Sequence, residues 1–546
     1  MQWDIMKNVI AHDCKMGGKM QFRNPAKEKY QKHEPIMTAM MRFSSPALAE
    51  IMVRAGAESV CIDNEHYPFT DEEIVNICRV VRGLGAECVM RLGEKSLNAI
   101  YRAMDMGLDG VLLPNVETAE EAQMIVDAVK YPPIGRRGCC PITRGADYGV
   151  GVSPHEYYEK INEVTTVGIM IESKKGYENL DEIMAVKGID YFTIGPSDFS
   201  GSFGKPGQAA TDPEIKAAMA DAQARMMNAG YTVGSIAYTP EQTKAAVSSG
   251  KTFLNVGSDL QMLTKSFREH IDGARSAIEA SGIEVTGMTP IERLRRNEPV
   301  LMPFLRIAEP AIAEIMVMSG TDFLIIDDEH FPFSDKDIFN CIAAAHAHDG
   351  KVIVRPHDKS KSSIGRILDM GADGIMAPQV KDHEEAERII KSVKYGPIGY
   401  RGLCPITAGA DYGFGHSADE YAKAANERTI VGIMIETRSA VEDIDAILAL
   451  PGIDYISVGP SDISASYGKP GQYDDPEIKA VLENVYDKVI AAGIPLMGMP
   501  YSDEQVIPVL ERGMRVLNIG SDVQYMIWGW KKLIEDTKKA IEEVGK

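Results

Sequence analysis

The sequence predicts an α/β protein that is built from two tandem (β/α)8 barrels. Two observations lead to this prediction. Residues 167–207 recur in recognisable form at residues 431–471, so that Glu172 corresponds to Glu436 and Asp198 to Asp462 at a constant separation of 264 residues. The first half contains eight short apolar runs that alternate with segments of helical pattern, and the second half repeats this order. Eight such units in about 250 residues are typical of a closed barrel of parallel strands.

The apolar runs predict the strands of the first half, because short apolar runs between turns are typical of buried parallel strands. Strands are expected at residues 36–43, 59–63, 88–91, 111–114, 167–172, 191–194, 232–236 and 253–256. Helices are expected at residues 46–55, 71–84, 96–106, 118–130 and 259–280, with a long loop at residues 131–166. A doubly wound sheet is the rival fold. It usually has a glycine-rich phosphate turn after its first strand, and residues 42–46 do not form one.

The position of the repeat divides the chain into four predicted segments. These are an N-terminal arm at residues 1–33, a first barrel at 34–282, a polar connector at 283–297 and a second barrel at 298–546. The arm has no evident counterpart in the repeat. The connector is expected to contain at most one helical turn.

Composition and charge restrict the class of function. Charged residues make up 25% of the chain and hydrophobic residues 45%, which is ordinary for a globular protein. The formal net charge of −21 argues against nucleic acid or an anionic membrane as a partner, since both select basic surfaces. The eight cysteines have no metal-site spacing, and no segment is apolar enough to span a bilayer. We therefore expect a cytoplasmic protein.

Polar residues at the ends of predicted strands are the candidate site residues, because barrel enzymes place their chemistry there. Seven of them are the same in both halves. The pairs are Asp63/Asp327, Glu65/Glu329, His66/His330, Arg91/Arg355, Glu172/Glu436, Ser197/Ser461 and Asp198/Asp462.

Glu172 and Asp198 end two consecutive strands, and their carboxylates are expected to meet at one mouth of the barrel. Two carboxylate oxygens, completed by water and substrate, suit a divalent cation such as Mg²⁺ or Mn²⁺. The alternative is that Asp198 caps a helix and that Glu172 is a surface residue. Glu436 and Asp462 predict an equal site in the second half.

The remaining pairs suggest acid–base and anion-binding roles. Asp63 lies three residues before His66 and is expected to orient its imidazole for general acid–base work. Arg91 is expected to pair with Glu65 and to bind a carboxylate or a developing oxyanion. The corresponding second-half residues are His330, Asp327, Arg355 and Glu329.

Two further features concern how a keto-acid substrate could be bound and activated. The turns that contain Gly195 and Ser197, and Gly459 and Ser461, can direct backbone N–H groups at a carboxylate, although a plain tight turn is the alternative. A Schiff-base lysine would be another way to activate a keto acid. No lysine that both halves share lies on a predicted strand, so metal chemistry is favoured.

Taken together and in order, these motifs resemble a known family. They are Ile-Asp-x-Glu-His, a strand that ends in Arg, Arg-Gly in the long loop, Ile-Glu at a strand end, and Gly-Pro-Ser-Asp. The set resembles the HpcH/HpaI aldolase family of 2,4-dihydroxyhept-2-ene-dioate and 2-dehydro-3-deoxyglucarate aldolases. These are class II pyruvate aldolases on barrels of the phosphoenolpyruvate/pyruvate type, and the resemblance covers nearly all of both halves.

The resemblance implies a carbon–carbon lyase that cleaves or forms a 4-hydroxy-2-oxo acid, with pyruvate or an analogue and an aldehyde as partners. It implies Mg²⁺ or Mn²⁺, with Co²⁺ possible, on Glu172 and Asp198 and on Glu436 and Asp462. It also implies that Arg91 and Arg355 steady the enolate oxygen. The His66–Asp63 and His330–Asp327 pairs would handle the proton of the hydroxyl group. Ser197 and Ser461 would bind the pyruvyl carboxylate through their backbone.

Departures from the family pattern leave the second substrate open. Met170 and Met434 stand where many members carry Gln, and the long loops do not match the sugar-acid aldolases. The alternatives are another Mg²⁺-enolate lyase, such as a decarboxylase or a β-hydroxyacyl thioester lyase, or a chain in which one barrel is only a scaffold. The Arg144/Ala408 and Arg136/Tyr400 differences could give the two halves different preferences.

The resemblance also implies an assembly. The family that this chain resembles forms hexamers, which are built from dimers whose subunits exchange their last helix. A fused pair of barrels could form that dimer within one chain, which predicts a homotrimer of two-barrel chains.

Overall fold

The computed structural model describes residues 22–150 and 152–545. The chain forms two compact units. The first runs to Met262 and also includes the chain from Ile527 onward, and the second is Leu263–Met526.

The first unit is a closed barrel of eight parallel strands, each paired with its neighbours in chain order. Strands β1 to β8 are Ile36–Met41, Ser59–Asn64, Glu87–Leu92, Gly110–Leu113, Thr166–Ile171, Tyr191–Ile194, Thr232–Ile236 and Phe253–Ser258. Helices α1 to α12 are Pro25–Lys32, Pro46–Ala55, Asp71–Gly83, Leu97–Asp105, Ala119–Val129, Pro154–Val164, Lys174–Glu178, Leu180–Met184, Pro196–Ser202, Pro213–Asn228, Pro240–Ser248 and Asp259–Ala280.

The second unit repeats the barrel with shorter strand pairings. Strands β9 to β17 are Val300–Leu301, Phe304–Leu305, Leu324–Asp327, Val352–Arg355, Gly374–Ala377, Ile430–Ile435, Tyr455–Val458, Met497–Gly498 and Val516–Leu517. Helices α13 to α24 are Pro290–Arg295, Pro310–Met318, Asp335–His346, Lys361–Asp369, His383–Val393, Ala418–Arg428, Arg438–Glu442, Ile444–Leu448, Pro460–Ser466, Pro476–Ala491, Asp503–Glu511 and Asp522–Val544. A six-stranded sheet, β10 to β15, and a three-stranded sheet, β16-β17-β9, meet through single bridges at Ile456–Leu496 and Phe304–Ser521. The prediction of two tandem (β/α)8 barrels is confirmed.

Burial explains why the apolar runs form strands. Every residue of β1, β4 and β5 is buried, as is expected for parallel strands that are covered by helices on the outside and by packed side chains within the barrel. Inside the first barrel the rings of Tyr191 and Phe253 stack at 4.7 Å between centroids. The barrel interior is therefore a packed core, and polar groups have room only at its ends.

The arm and the connector contain equivalent helices, so the expectation that the arm has no counterpart in the repeat is wrong. In the arm, Lys29 of α1 bonds the Pro35 carbonyl at 3.1 Å and pairs with Glu58. In the connector, Arg293 of α13 bonds the Pro299 carbonyl at 3.0 Å and pairs with Asp322. Each helix covers the N-terminal end of its own barrel.

The compact units differ from the predicted segments 34–282 and 298–546 in where the last helix of each half belongs. Most of α12 lies in the second unit, where Ile271 and Ala274 pack with Leu510. Most of α24 lies in the first unit, where Ile534 approaches Gly56 and Glu543 pairs with Lys244. Each unit thus takes its final helix from the other half of the sequence.

The long loop at residues 131–166 contains two helical segments that its polar composition did not predict. A short 3-10 turn spans Arg144–Gly149, and α6 spans Pro154–Val164 with Ser153 as its N-cap. The helix packs through Tyr157, which is buried against Tyr131.

No helix in the described part of the chain is both long and apolar enough to cross a membrane.

Candidate active site

Glu172 follows β5 at the C-terminal end of the first barrel. The register of β5 and β6 pairs Ile171 with Ile194, which places Glu172 beside Gly195. A Cβ atom at Gly195 would overlap the Glu172 carboxylate, so glycine is required for this approach. In the second unit a Cβ at Gly459 would lie 2.6 Å from Oε2 of Glu436.

Both glutamates are buried carboxylates, exposed to 5% and 2% respectively. The pKa of Glu172 is raised to about 7, chiefly by burial, and the nearby charges of Glu65 and Asp198 contribute to this shift. Burial likewise raises the pKa of Glu436 to about 7, with the charges of the corresponding carboxylates adding to the effect. Each site therefore concentrates negative charge that a cation would neutralise.

A strained residue at the end of the fourth strand of each barrel supports the glutamate. The backbone N–H of Asn115 donates to Glu172 at 3.0 Å, and that of Gln379 donates to Glu436 at 2.5 Å. Their φ angles are 49° and 50°, in the left-handed region that non-glycine residues rarely adopt. The sequence pattern did not identify either residue, although both are polar residues that follow the fourth strand at a separation of 264 positions.

Arg91 ends β3 and forms a two-pronged contact with Asp63. Its Nε and Nη2 donate to the two carboxylate oxygens at 3.0 and 2.7 Å, and Nε lies 3.2 Å from Oε2 of Glu65. Asp63 is fully buried, so the guanidinium supplies the positive charge that a buried carboxylate needs.

Arg355 repeats this arrangement in the second unit. It donates to Asp327 at 2.9 and 2.7 Å and lies 3.3 Å from Oε2 of Glu329. The predicted pairing of the arginine with the glutamate is therefore present, with the aspartate as the stronger partner.

In each unit a second arginine, which the sequence pattern did not identify, approaches the aspartate that the first arginine holds. Arg306 Nε donates to Asp327 at 3.2 Å, and Arg42 Nε lies 3.6 Å from Asp63. Both arginines follow the first strand of their barrel and are 264 residues apart, which was the signal available in the sequence.

The predicted Asp63–His66 and Asp327–His330 pairs are wrong. The carboxylate next to His66 is that of Glu65, with 3.6 Å between Nε2 and Oε2, and the same distance separates His330 from Glu329. In the described part of the chain the aspartates are held by arginines, and no ion pair joins them to the histidines. Both imidazoles are more than half exposed at the mouth.

Asp198 and Ser197 lie in the first turn of α9, exposed to solvent beside the mouth. The charge of Asp198 acts on Glu172, and that of Asp462 acts on Glu436, so the acids predicted to act together are brought together. In the second unit Ser461 Oγ and Tyr473 Oη are 2.9 Å apart.

The mouth of the second barrel has a histidine–aspartate pair that the first barrel lacks. In the second unit His357 Nδ1 lies 2.6 Å from Oδ2 of Asp328. The first unit has Gly93 and Asn64 at these positions. The Arg144/Ala408 difference instead lies near Gly107, at the N-terminal end of the barrel and away from the mouth.

Lys130 is not placed for Schiff-base chemistry. Its Nζ donates to the carbonyls of Asn162 and Thr165 at 2.8 and 2.7 Å, at the N-terminal end of β5. Burial lowers the pKa of this amine to about 7. Lys394 makes the same contacts in the second unit.

The residues at each mouth fit a divalent cation that is held by few protein ligands. Oε2 of Glu65 and Oε2 of Glu329 are buried beside an arginine and accept no hydrogen bond from the described residues, which leaves room for metal-bound water. No cluster of three or more His, Cys, Asp or Glu side chains in metal-binding geometry occurs among the described residues.

Comparison with known proteins identifies the family of the chain. The model of the HpcH/HpaI aldolase/citrate lyase family matches residues 40–266 and again residues 301–528. The chain belongs to this family. The double match confirms the tandem repeat, and the family confirms that the protein is an enzyme of the aldolase and lyase type.

Individual relatives cover one half of the chain. The 2-keto-3-deoxy-L-rhamnonate aldolase of Escherichia coli (strain K12) is 31% identical over 249 residues, which are 45% of this chain and 92% of the relative. A family protein of known structure from Burkholderia cenocepacia J2315 is 26% identical, with a TM-score of 0.44, over 46% of this chain and all of its own. The citrate synthase SbnG structure is 31% identical, with a TM-score of 0.42, over 46% of this chain and 97% of its own.

Proposed function

We propose that each barrel is a metal-dependent class II aldolase that cleaves or forms a 4-hydroxy-2-oxo acid, with pyruvate or a close analogue and an aldehyde as the other partners. The observation that carries the proposal is the buried Glu172 carboxylate next to the charges of Asp198 and Glu65, repeated at Glu436. The similarity to the 2-keto-3-deoxy-L-rhamnonate aldolase supports a keto-acid substrate.

In this proposal Glu172 and Asp198 hold Mg²⁺ or Mn²⁺ in the first unit, and Glu436 and Asp462 hold it in the second. When bound, the cation supplies a Lewis acid that makes a chelated keto acid easier to enolise. The chain positions the keto acid beside it, with backbone N–H groups of the Gly195–Asp198 turn facing the substrate carboxylate.

Arg91 and Arg355 have a separate role. Their guanidinium groups are fixed by Asp63 and Asp327, so the donors are already oriented when the substrate enters. Such preorganised donors stabilise negative charge that develops on the keto oxygen, because no reorientation is needed during the reaction.

His66 and His330 are the candidate proton carriers for the hydroxyl group of the aldol. Each is exposed at the mouth and has a glutamate neighbour, Glu65 or Glu329, that is itself held by the arginine. The glutamate, in place of the aspartate named from the sequence, is the group that can orient the imidazole.

Exchange of the methyl protons of pyruvate in deuterated water tests this function without knowledge of the aldehyde. We expect exchange in the presence of Mg²⁺ or Mn²⁺ and none after chelation. Glu172→Ala or Glu436→Ala alone should leave about half of the exchange, and the double variant none.

Glu117→Ala and Lys381→Ala, which change exposed or half-buried residues beside the mouth, serve as controls and should keep the exchange. Full exchange in the double glutamate variant, or exchange that ignores the metal, would refute the proposed site.

The homotrimer remains part of the proposal. It rests on the family resemblance, and the composition of the units, each with the last helix of the other half, supports it. Light scattering should then give three times the 59.8 kDa of the chain.

A further inference from the structure

A cavity of about 260 Å³ opens in the second unit, away from the candidate active site. It is lined by residues that precede the strands of the barrel, among them Lys351, Asp373 and Thr429. The cavity therefore lies at the N-terminal end of the barrel, whereas Glu436 and Arg355 lie at the C-terminal end. Its volume would hold several water molecules or one small metabolite.

A sequence difference between the halves explains the cavity. In the first unit Arg144 fills this region, and a Cβ atom at Gly107 would lie 2.9 Å from its Nη1. The second half has Ala408 in place of Arg144. The nearest atom to the matching position on Gly371 is 3.4 Å away and belongs to Ile342.

Another substitution enlarges the same space. Ile161, which is buried in the first unit, corresponds to Ala425, which lines the cavity. A large apolar side chain and a long cationic side chain have both been replaced by alanine. Both replacements remove side-chain volume from the region that the cavity occupies in the second unit.

Replacement of the arginine by alanine leaves one carboxylate, that of Asp411, without the cation of the first unit. In the first unit Arg144 Nη1 lies 3.8 Å from Asp147 Oδ1. The corresponding Asp411 is an exposed residue that lines the cavity, and no cation of the described second unit lies within ion-pair distance of it. Asp349, also in the lining, has no ion pair among the described residues either.

The basic residues of the lining are mostly engaged elsewhere. Arg401 is held by Asp369 at 2.7 Å, and His346 lies 3.0 Å from Asp373. Arg428 is the exception. It donates to the Gly409 carbonyl at 2.9 Å and has no carboxylate partner in the described chain.

We propose that this cavity binds a small metabolite through a guanidinium or alkylammonium group, which occupies the space that the Arg144 side chain fills in the first unit. Asp411 supplies the counter-charge. Arg428, which donates to the Gly409 carbonyl and lies over the Tyr421 ring but has no carboxylate partner among the described residues, would also bind a carboxylate. The ligand is therefore either a free amine or guanidine or a basic amino acid. This inference does not depend on the proposed aldolase chemistry.

Calorimetric titration of the full chain, without metal or keto acid, tests the inference. The probes are L-arginine, agmatine and propionate. We expect one site per chain for L-arginine. Equal binding of agmatine identifies an amine or guanidine ligand, and much weaker binding of agmatine identifies an amino acid. Propionate alone should not bind.

Variants connect the binding to the cavity. Ala408→Arg restores the side chain of the first unit and should abolish binding. Asp411→Asn removes the charge without added bulk and should weaken binding at least tenfold. The fold should tolerate this change, because φ at Asp411 is 46° and asparagine adopts that conformation readily.

Leu403→Arg is the matched control, since it adds the same charge to an exposed position of the same loop and should leave binding unchanged. Three results would overturn the inference. They are no saturable binding of L-arginine or agmatine at millimolar concentration, unchanged binding by Ala408→Arg, or equal loss of binding in Leu403→Arg.

Discussion

At the level of single residues, the shape of the guanidinium group of Arg91 and Arg355 determines the effect of a conservative substitution by lysine. Each arginine reaches both oxygens of a buried aspartate and a neighbouring glutamate at once. Lysine keeps the charge but cannot form this fork.

We predict that Arg91→Lys lowers kcat of the first site by about 10²–10³-fold with a smaller change in KM, because preorganised charge stabilisation is lost. The measurement is steady-state kinetics in a Glu436→Ala background, so that only the first site reports. Arg82→Lys is the control, since Arg82 pairs with Asp109 at the opposite end of the barrel. Equal loss of activity in both variants would contradict the assigned role.

The repeat made most of the site residues predictable. Positions such as Glu172 and Glu436 could be recognised because both halves keep them while neighbours change. The carboxylate partner of His66 could not, because Asp63 and Glu65 both lie within three residues of it. Which of the two carboxylates lies next to His66 depends on the side-chain directions at the end of β2 and on the ion pair between Arg91 and Asp63.

At the scale of elements, the end of α5 and the start of β5 bury a lysine. Lys130 is 3% exposed, and burial lowers the pKa of its amine to about 7, with the charge of Lys27 acting in the same direction. The folded state therefore favours the neutral amine, whereas the unfolded chain titrates near 10.4.

Between pH 7 and pH 10.4 the unfolded state binds more protons, so the free energy of unfolding should rise with pH by up to about 1.4 kcal/mol per unit through this group. The contribution is complete above the unfolded pKa and is lost as the pH falls through the folded one. We predict that Lys130→Met removes this dependence in chemical unfolding at pH 7 and pH 9.

Lys394→Met is the matched comparison, because burial also lowers the pKa of Lys394. It should remove a dependence of the same sign. A wild-type slope that persists in Lys130→Met would contradict the assignment.

The strands and helices of the barrels could be predicted from the pattern of apolar residues, because the strands are short, buried and bounded by turns. The 3-10 turn at Arg144–Gly149 could not be predicted. It depends on the left-handed backbone conformation of Asp147 and Tyr148, and neither residue is a glycine, which would have indicated that conformation. The helix Pro154–Val164 was hidden by its polar outer face, although Ser153 before Pro154 is an ordinary helix start.

At the scale of the whole molecule, the first barrel is completed by the last helix of the chain. Trp530, Ile534 and Ala540 of α24 are almost fully buried. Exposure of each large apolar side chain costs about 1.5–3 kcal/mol, so loss of this helix would remove much of a typical domain stability of about 5–15 kcal/mol.

We predict that a chain that stops at Met526 loses amide protection in β1 to β8 and keeps it in the second unit, as measured by hydrogen exchange. Lys244→Ala, which removes only the exposed pair with Glu543, is the control and should change little. Unchanged protection of the first unit would show that α24 does not stabilise it.

This arrangement could not be read from the period of the sequence, because a helix that packs on its own barrel and one that packs on the other have the same amphipathic pattern. Only the family resemblance indicated an exchange. The double barrel itself followed from the repeat, since one internal comparison fixed the order of the elements in both halves.

In the proposed mechanism, each half of the chain holds one divalent cation on its own glutamate and aspartate. Titration with Mn²⁺, followed by electron paramagnetic resonance of the free ion, measures this most directly. We expect two Mn²⁺ sites per wild-type chain, one in Glu172→Gln or Glu436→Gln, and none in the double variant. Two sites that persist in the double variant would contradict it.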